Sequence, residues 1–200
     1  MEKVNVYDFD NTIYHGESAI DFFLFCLRKD IKWCVYLPKI SVALIKYKFG
    51  LIKIDDVFDD YSKLLEKFIL DVGNMDKLII EFWDKHEKNI KKFYYKNHKD
   101  NDIVISASAN FLLDEICKRL NIKHYIGSDI DKVTGKINYL CYRENKKKIF
   151  FSKYKNKQII NFYTDSWNDL YMMSIAENSY FVKGSNITKI DNKKIQKKLL

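Results

Sequence analysis

Three short apolar runs in this chain each stop at a cluster of acid and hydroxyl residues, a recurrence that limits the fold more than any other feature. Val4-Asn5-Val6-Tyr7 alternates and runs into Asp8-Phe9-Asp10-Asn11-Thr12. Ile103-Val104-Ile105 runs into Ser106-Ala107-Ser108-Ala109-Asn110, and Ile159 to Tyr163 into Thr164-Asp165-Ser166-Trp167-Asn168-Asp169. After the second run, apolar residues recur at helical spacing from Phe111 to Leu120, with Ser108 or Asn110 able to cap the N-terminus. After the third, Leu170 to Ala176 continues as a helix. His124 to Gly127 and Ser179 to Val182 read as further strands, Val133 to Ile137 as a hairpin turning at Gly135, and the chain closes on a basic tail. Strands alternating with helices predict an α/β fold with an open parallel sheet. Ligand crevices of such sheets lie at the carboxyl ends of the strands. The clusters at 8–12, 106–110 and 165–169 are therefore expected to meet there.

The stretch from about Tyr14 to Lys99 follows a different rule. Its apolar residues fall three and four apart, as in Phe22, Phe23, Phe25 and Cys26, and again in Leu64, Leu65, Phe68 and Ile69. That spacing predicts four or five helices and little strand, placed between the first two sheet strands. Such a length exceeds a crossover connection and predicts a separate lid. The expected organisation is a Rossmann-like parallel-sheet core, residues 1–15 and 100–200, with an inserted all-helical cap domain, residues 16–99.

Composition removes several classes. The chain has 200 residues, 47% of them apolar and 16% aromatic, with six Gly and one Pro, so collagen-like, disordered and low-complexity classes are out. Its net charge of +8 is carried almost wholly by lysine, the arginines being Arg28, Arg119 and Arg143. Proteins that read bases and phosphates favour the bidentate Arg fork, so the charge reads as compositional and no nucleic-acid partner is expected. Cys26, Cys34, Cys117 and Cys141 show no CxxC spacing, as for isolated thiols in a reducing cytosol. Met1 to Val6 is too short and polar for a signal peptide, and no run approaches the roughly 18 apolar residues of a membrane span. A soluble, cytoplasmic protein is the expectation.

Asp8 and Asp10 stand two apart at a strand end, where alternation sends both side chains the same way and Phe9 another. Two carboxylates on one side of a crevice need a cation, or one must hold a proton. A hard divalent ion such as Mg²⁺, held by one or two carboxylates and phosphate oxygens, meets that need. Asp165 and Asp169 bring further acids to the same edge.

With these residues in view, Asp8-Phe9-Asp10-Asn11-Thr12 resembles the DxDxT signature of the haloacid dehalogenase-like phosphohydrolases. The rest of the set follows in order: an apolar strand ending in Ser106, a lysine within 146–148, then Asp165-Ser166-Trp167-Asn168-Asp169. Cys141 to Lys146 and the Thr134-Gly135 hairpin before it are similar to the phosphoserine-phosphatase-like branch, and the helical stretch matches a cap inserted after the first motif. The resemblance implies a Mg²⁺-dependent phosphomonoesterase acting on a small-molecule phosphoester. Asp8 would be the nucleophile that becomes phosphorylated, and Asp10 the acid and base. Ser106 and Lys146 would hold the phosphoryl oxygens, with Lys147 and Lys157 as alternatives to Lys146 and Ser108 as the alternative to Ser106. Mg²⁺ would be bound by Asp8, the Asp10 carbonyl and Asp165, with Asp169 acting through water or from behind. Asn168 would contact phosphate or substrate, and Thr12, beside Asn11, would orient the Asp10 loop. The helix after Ser106 would point its N–H groups at the phosphate.

Substrate readings diverge in the cap. Glu17 lies nine residues after Asp8, where phosphoserine phosphatases carry a glutamate for the substrate amine. Those enzymes also use a cap arginine for the serine carboxylate, and this cap offers only Arg28, in an unlike context; Asp10-Asn11-Thr12 replaces the usual DST. The apolar segment Phe22 to Ile52 is similar to the cap start of phosphatidylglycerophosphate-phosphatase-like members, whose aromatics and lysines could rest on a membrane surface. The preferred reading is plainer: a helical cap needs a core, and Lys stems snorkel. A nucleic-acid end phosphatase and a non-catalytic binding module are the remote alternatives.

Overall fold

The computed structural model describes residues 1–48 and 62–199. Strand β1 (Glu2–Tyr7) lies in the middle of a sheet with β2 (Ile103–Ala109), β3 (His124–Ile130) and β4 (Ile137–Tyr139) to one side. On the other side lie β5 (Lys157–Thr164), β6 (Asn178–Lys183) and β7 (Asn186–Lys189), giving the order β4-β3-β2-β1-β5-β6-β7. Pairing is parallel from β3 through β6 and antiparallel only for β3 with β4 and β6 with β7. The chain thus leaves β1 toward β2 and later returns to its other side at β5. Strand order reverses at β1, where α/β sheets open a crevice.

Alternation along the strands lets the sheet bury both faces. Val4, Val6, Ile103, Ile105 and Phe162 cluster with Phe150 of α7 (Glu144–Lys153), Met172 of α8 (Leu170–Met173) and Ile195 of α9 (Asn192–Leu199). Tyr7 and Val104 turn to the opposite face, toward Leu112 and Ile116 of α6 (Asn110–Arg119).

Between β1 and β2 the described residues form α1 (Ser18–Lys29), a 3-10 turn (Ile31–Tyr36), α2 (Leu37–Lys48), α3 (Ser62–Val72), α4 (Met75–His86) and α5 (Lys92–Asn97). Phe22, Phe23, Phe25 and Cys26 form the buried stripe of α1, as their spacing predicts. Phe22 meets Phe82 and Phe23 meets Phe68, both with ring centroids 5.4 Å apart. Trp83 of α4 is fully buried, and its Nε1 donates to the carbonyl of Leu112 at 2.9 Å. Full burial of each such ring contributes roughly 1.5–3 kcal/mol. These helices share one apolar cluster with the sheet face beneath them. Arg119 of α6 adds ion pairs to Asp84 at 2.9 Å and Glu87 at 3.2 Å. The helical stretch has a narrow neck, since Lys91 N–H donates to Ile13 C=O at 2.8 Å and His15 N–H to Asn89 C=O at 2.9 Å. In the 3-10 turn Trp33 and Tyr36 face the core, while Ile31 and Val35 face outward. Residues 49–52 of the apolar segment lie outside the described residues. No described helix is long and apolar enough to cross a membrane.

The hairpin forms as expected, and Gly135 at its turn has φ +77°. A Cβ there would stand 2.4 Å from the Cα of Glu66, so the turn lies directly against α3 and only Gly fits. Three local expectations change. Ala109 is the N-cap of α6, with no side-chain cap, because the Ser108 hydroxyl is drawn to Asp10 and Asn110 lies inside the helix. The helix after Asp169 ends at Met173, and the basic tail forms β7 and α9. The tail was illegible because β7 is exposed at every position and α9 buries only Ile195.

Candidate active site

β1 ends at Tyr7, but the Asp8 N–H still donates to Tyr163 C=O of β5 at 2.8 Å, so Asp8 continues the strand line into the crevice. Phe9 is fully buried, and its carbonyl accepts from the N–H groups of Thr12, Ile13 and Tyr14 at 3.2, 2.8 and 2.9 Å, which reverses the chain. The reversal puts Asn11 at φ 54°, a left-handed conformation that Asn tolerates. Its Nδ2 donates to Glu17 Oε1 at 2.6 Å, and its carbonyl accepts from Lys91 Nζ. Thr12 Oγ1 donates to Asp8 Oδ2 at 3.1 Å, so its hydroxyl serves the Asp8 carboxylate directly rather than the Asp10 loop.

Asp10 is held differently. Its Oδ1 accepts from the Ser18 N–H at 2.7 Å, and its Oδ2 from the Ser108 hydroxyl. The Ser18 and Ser108 hydroxyls lie 2.8 Å apart. The first turn of α1 and the end of β2 therefore clamp one carboxylate.

Lys146 comes in from the first turn of α7, just after Arg143 at φ 49°. It is 3% exposed, and its Nζ lies 2.8 Å from Asp8 Oδ1 and 2.7 Å from Asp169 Oδ1. Thr164 Oγ1 donates to the other Asp169 oxygen at 2.7 Å. Lys157 instead pairs with Glu2 at 3.1 Å, at the far end of the sheet, and Lys147 is half-buried away from the crevice. Of the three candidates, only Lys146 reaches the acids.

Asp8, Asp10, Lys146, Asp165, Asn168 and Asp169 line a cavity of about 350 Å³, with Glu17 and Ser108 in its wall. Ser106 is fully buried outside that lining, its Oγ accepting from the Ser108 N–H at 3.0 Å. Tyr142 and the loop-tethering Lys91 are site residues given no role by the sequence, and Ser108 and Ser166 enter it only as an alternative ligand and as part of an acidic cluster. Ser108 was visible as a rival to Ser106, but which of the two faces the crevice depends on how β2 packs. Nothing in the sequence marks Lys91 among its many lysines.

The charges do not balance. Burial alone would lower Lys146, but the carboxylates of Asp169 and Asp8 reverse this and hold it well above its ordinary value. Burial raises Asp10 against the opposing bonds from Ser108 and Ser18. Burial and then the Asp169 charge push Asp165 up to about 6. Among the described lining residues one ammonium thus stands with four aspartates, an oxygen-rich, electron-hard donor set that suits Mg²⁺. Among the described residues no three His, Cys, Asp or Glu side chains close on one point as a ready cage. The set Asp8, Asp165 and the Asp10 carbonyl needs only two carboxylates, with phosphate and water completing the shell.

Glu17 yields a pH prediction. Burial first, then the charges of Asp10 and Asp165, push its carboxyl from 4.5 up to about 7. Between those values the folded protein keeps a proton that the unfolded chain has lost, so stability falls as pH rises through that window. Glu17→Gln keeps an amide oxygen for Asn11 and removes the charge. In metal-free buffer it is expected to gain about 1–3 kcal/mol at pH 8, after allowance for partial solvent screening. The gain vanishes below pH 4.5, where Glu17 is protonated in both states. A thermal-melt difference equal at pH 4 and pH 8 would refute it.

The open, mainly parallel sheet with an acidic crevice at its strand-order reversal is a Rossmann-like α/β fold. The sequence profile of the haloacid dehalogenase-like hydrolases matches residues 6–174, and the chain belongs to that family. Its fold is similar to that of a protein of unknown function from Bordetella pertussis Tohama I, at a TM-score of 0.66, 15% identity and 86% coverage of each chain. A phosphoserine phosphohydrolase-like protein from Francisella tularensis subsp. tularensis SCHU S4 gives a TM-score of 0.54 at 18% identity, covering 90% of this chain and 86% of that one. A phospho-aspartyl intermediate analogue of phosphoserine phosphatase gives 0.52 at 16%, covering 89% and 85%. At such identities the likeness speaks for the fold alone. No curated protein matches the sequence.

Proposed function

We propose that the chain is a Mg²⁺-dependent phosphomonoesterase that carries the phosphoryl group on Asp8. The observation behind this is that two carboxylates, two residues apart, have opposite surroundings: Asp8 lies against the Lys146 ammonium, and Asp10 between neutral donors. Burial raises both acids, but at Asp8 the Lys146 ammonium opposes the rise whereas at Asp10 mainly hydrogen bonds do, which favours Asp8 as the ionised nucleophile and Asp10 as the proton donor. Asp8 attacks phosphorus, the bond to the leaving oxygen breaks, and Asp10 gives that oxygen its proton. Water then attacks the phosphorus of the acyl phosphate and Asp10 takes the water's proton. Inorganic phosphate leaves, and the Asp8 carboxylate is restored.

Lys146 neutralises a non-bridging oxygen. Ser106 accepts from Ser108 N–H and keeps its own hydrogen for the phosphoryl group, whereas Ser108 gives its hydrogen to Asp10; this supports Ser106 as the phosphate ligand. Asn168 reaches phosphate or substrate from the cavity wall. Asp8, the Asp10 carbonyl and Asp165 would hold Mg²⁺, with Asp169 behind them, and the ion would offset the negative charge of the transferring group. We assign residues 1–15 and 100–200 to the catalytic core and 16–99 to the cap; the hydrogen bonds between 13–15 and 89–91 support a closed neck and draw α5 toward the core side. The four unpaired cysteines, three of them buried, support a reducing, cytoplasmic setting.

With Mg²⁺, the protein is expected to release phosphate from p-nitrophenyl phosphate, and EDTA to lower the rate at least ~100-fold, as for loss of a charge-stabilising group. No release across phosphoserine, sugar phosphates, nucleotides and lysolipid phosphates would end the proposal. Within that panel phosphoserine is disfavoured. Among the described residues Lys146 is the only cation lining the cavity and already faces two aspartates, and Arg28 lies exposed on α1 outside the lining, so a serine carboxylate finds no free cation among them.

A further inference from the structure

A second cavity, of about 270 Å³, adjoins the first beneath α1, α2 and α3. Phe23, Ile40, Leu65, Ile69 and Phe111 are among its walls, and among the described residues no charged side chain lines it. An apolar-walled hollow of this size beside a reactive centre offers burial to an apolar part of a ligand. Ala19, Ile20, Ala107 and Ser108 belong to both cavities.

Ser108 gives the juxtaposition its chemical meaning. Its hydroxyl bonds Asp10 Oδ2, so the group that protonates the leaving oxygen is held at the shared wall. The phosphoryl end belongs with Asp8 and Lys146, among the acids. The leaving group starts at Asp10, and the apolar-walled space across Ser108 from it is the second cavity. Charged or strongly hydrated leaving groups would lose water there without gaining a partner, whereas apolar ones gain by burial.

Resting on the phosphatase reading, the geometry points to the substrate class: a phosphate monoester of an uncharged, mainly apolar alcohol, alkyl or aryl, whose leaving group occupies the second cavity. The test is kcat/KM for ethyl, butyl, hexyl and octyl phosphate in solution, with O-phosphoserine and hexadecyl phosphate in phosphatidylcholine vesicles as comparators. The expected rise is about fourfold per methylene until the cavity is full, the fold-change that about 0.8 kcal/mol per buried CH₂ gives. Leu65→Trp, filling the cavity from α3, is expected to lower kcat/KM for hexyl phosphate at least ~10-fold more than for ethyl phosphate. Ile40→Trp, from α2, should do the same, and ethyl phosphate turnover reports folding of both variants. A flat series, or O-phosphoserine turned over faster than hexyl phosphate, overturns the assignment and leaves the phosphatase reading intact. A gain confined to hexadecyl phosphate in vesicles also overturns it, since recognition would then lie at a surface. If none of these esters nor p-nitrophenyl phosphate is hydrolysed, both readings fall.

Discussion

Asp8→Asn is expected to lower phosphate release by roughly 10⁴- to 10⁶-fold, the scale on which removing a covalent nucleophile acts. The amide keeps the shape of the carboxylate, and its oxygen can still accept from Thr12 or face Lys146, so the fold should survive. Lys146 retains Asp169 as a partner, which limits the structural cost further. What disappears is the charged oxygen that, on the proposed mechanism, bonds to phosphorus. Acid-quenched turnover with labelled substrate should trap label on wild-type protein and none on the variant. A variant that keeps more than about one hundredth of the wild-type rate would remove Asp8 as the nucleophile, since a positioning group alone rarely costs more than that.

Lys146→Met should have the largest effect on stability. It takes one ammonium out of a site where Asp8 and Asp169 are both almost inaccessible, leaving two buried carboxylates without their partner. Breaking a buried ion pair from one side costs about 3–5 kcal/mol. For a chain of this size that is a fall in Tm of roughly 6–20 °C. The pH dependence follows from the same charges. Burial already raises the Asp8 carboxyl and the Lys146 charge opposes that rise, so without Lys146 the folded variant holds the Asp8 proton more firmly and gains stability as pH falls from 8. Mg²⁺ should restore part of the loss by binding only the folded state. An unchanged Tm at pH 8 without Mg²⁺ would mean that the ammonium does not hold this cluster together.

The strand ends show how far one dimension reaches. Val4 to Tyr7, Ile103 to Ile105 and Ile159 to Phe162 are β-branched or aromatic runs whose alternation sorts into the two faces of the sheet, so their polar ends could be read as neighbours. Asp8 and Asp10 were legible because a two-residue spacing at a strand end is itself a geometric statement. Lys146 was legible as the preferred lysine only through the family resemblance, with Lys147 and Lys157 as rivals, since register on a short helix decides which lysine turns inward. Ser108 comes second to Ser106 in the sequence because it stands beyond the apolar run, whereas β2 continues through both serines to Ala109. The clamp of Asp10 by Ser18 and Ser108 joins positions 8 and 98 residues away, and no local rule could have paired them.

By itself, the sequence determined the α/β class, the helical stretch between the first two strands, and the acids and lysine available for chemistry. These follow from side-chain period and residue type, which are local. The tertiary structure decided which lysine loses its water to two carboxylates, how far burial raises Asp165 and Glu17, and that an apolar-walled cavity opens across Ser108 from Asp10. Each of these depends on desolvation. Desolvation is set by everything packed around a group rather than by its neighbours along the chain.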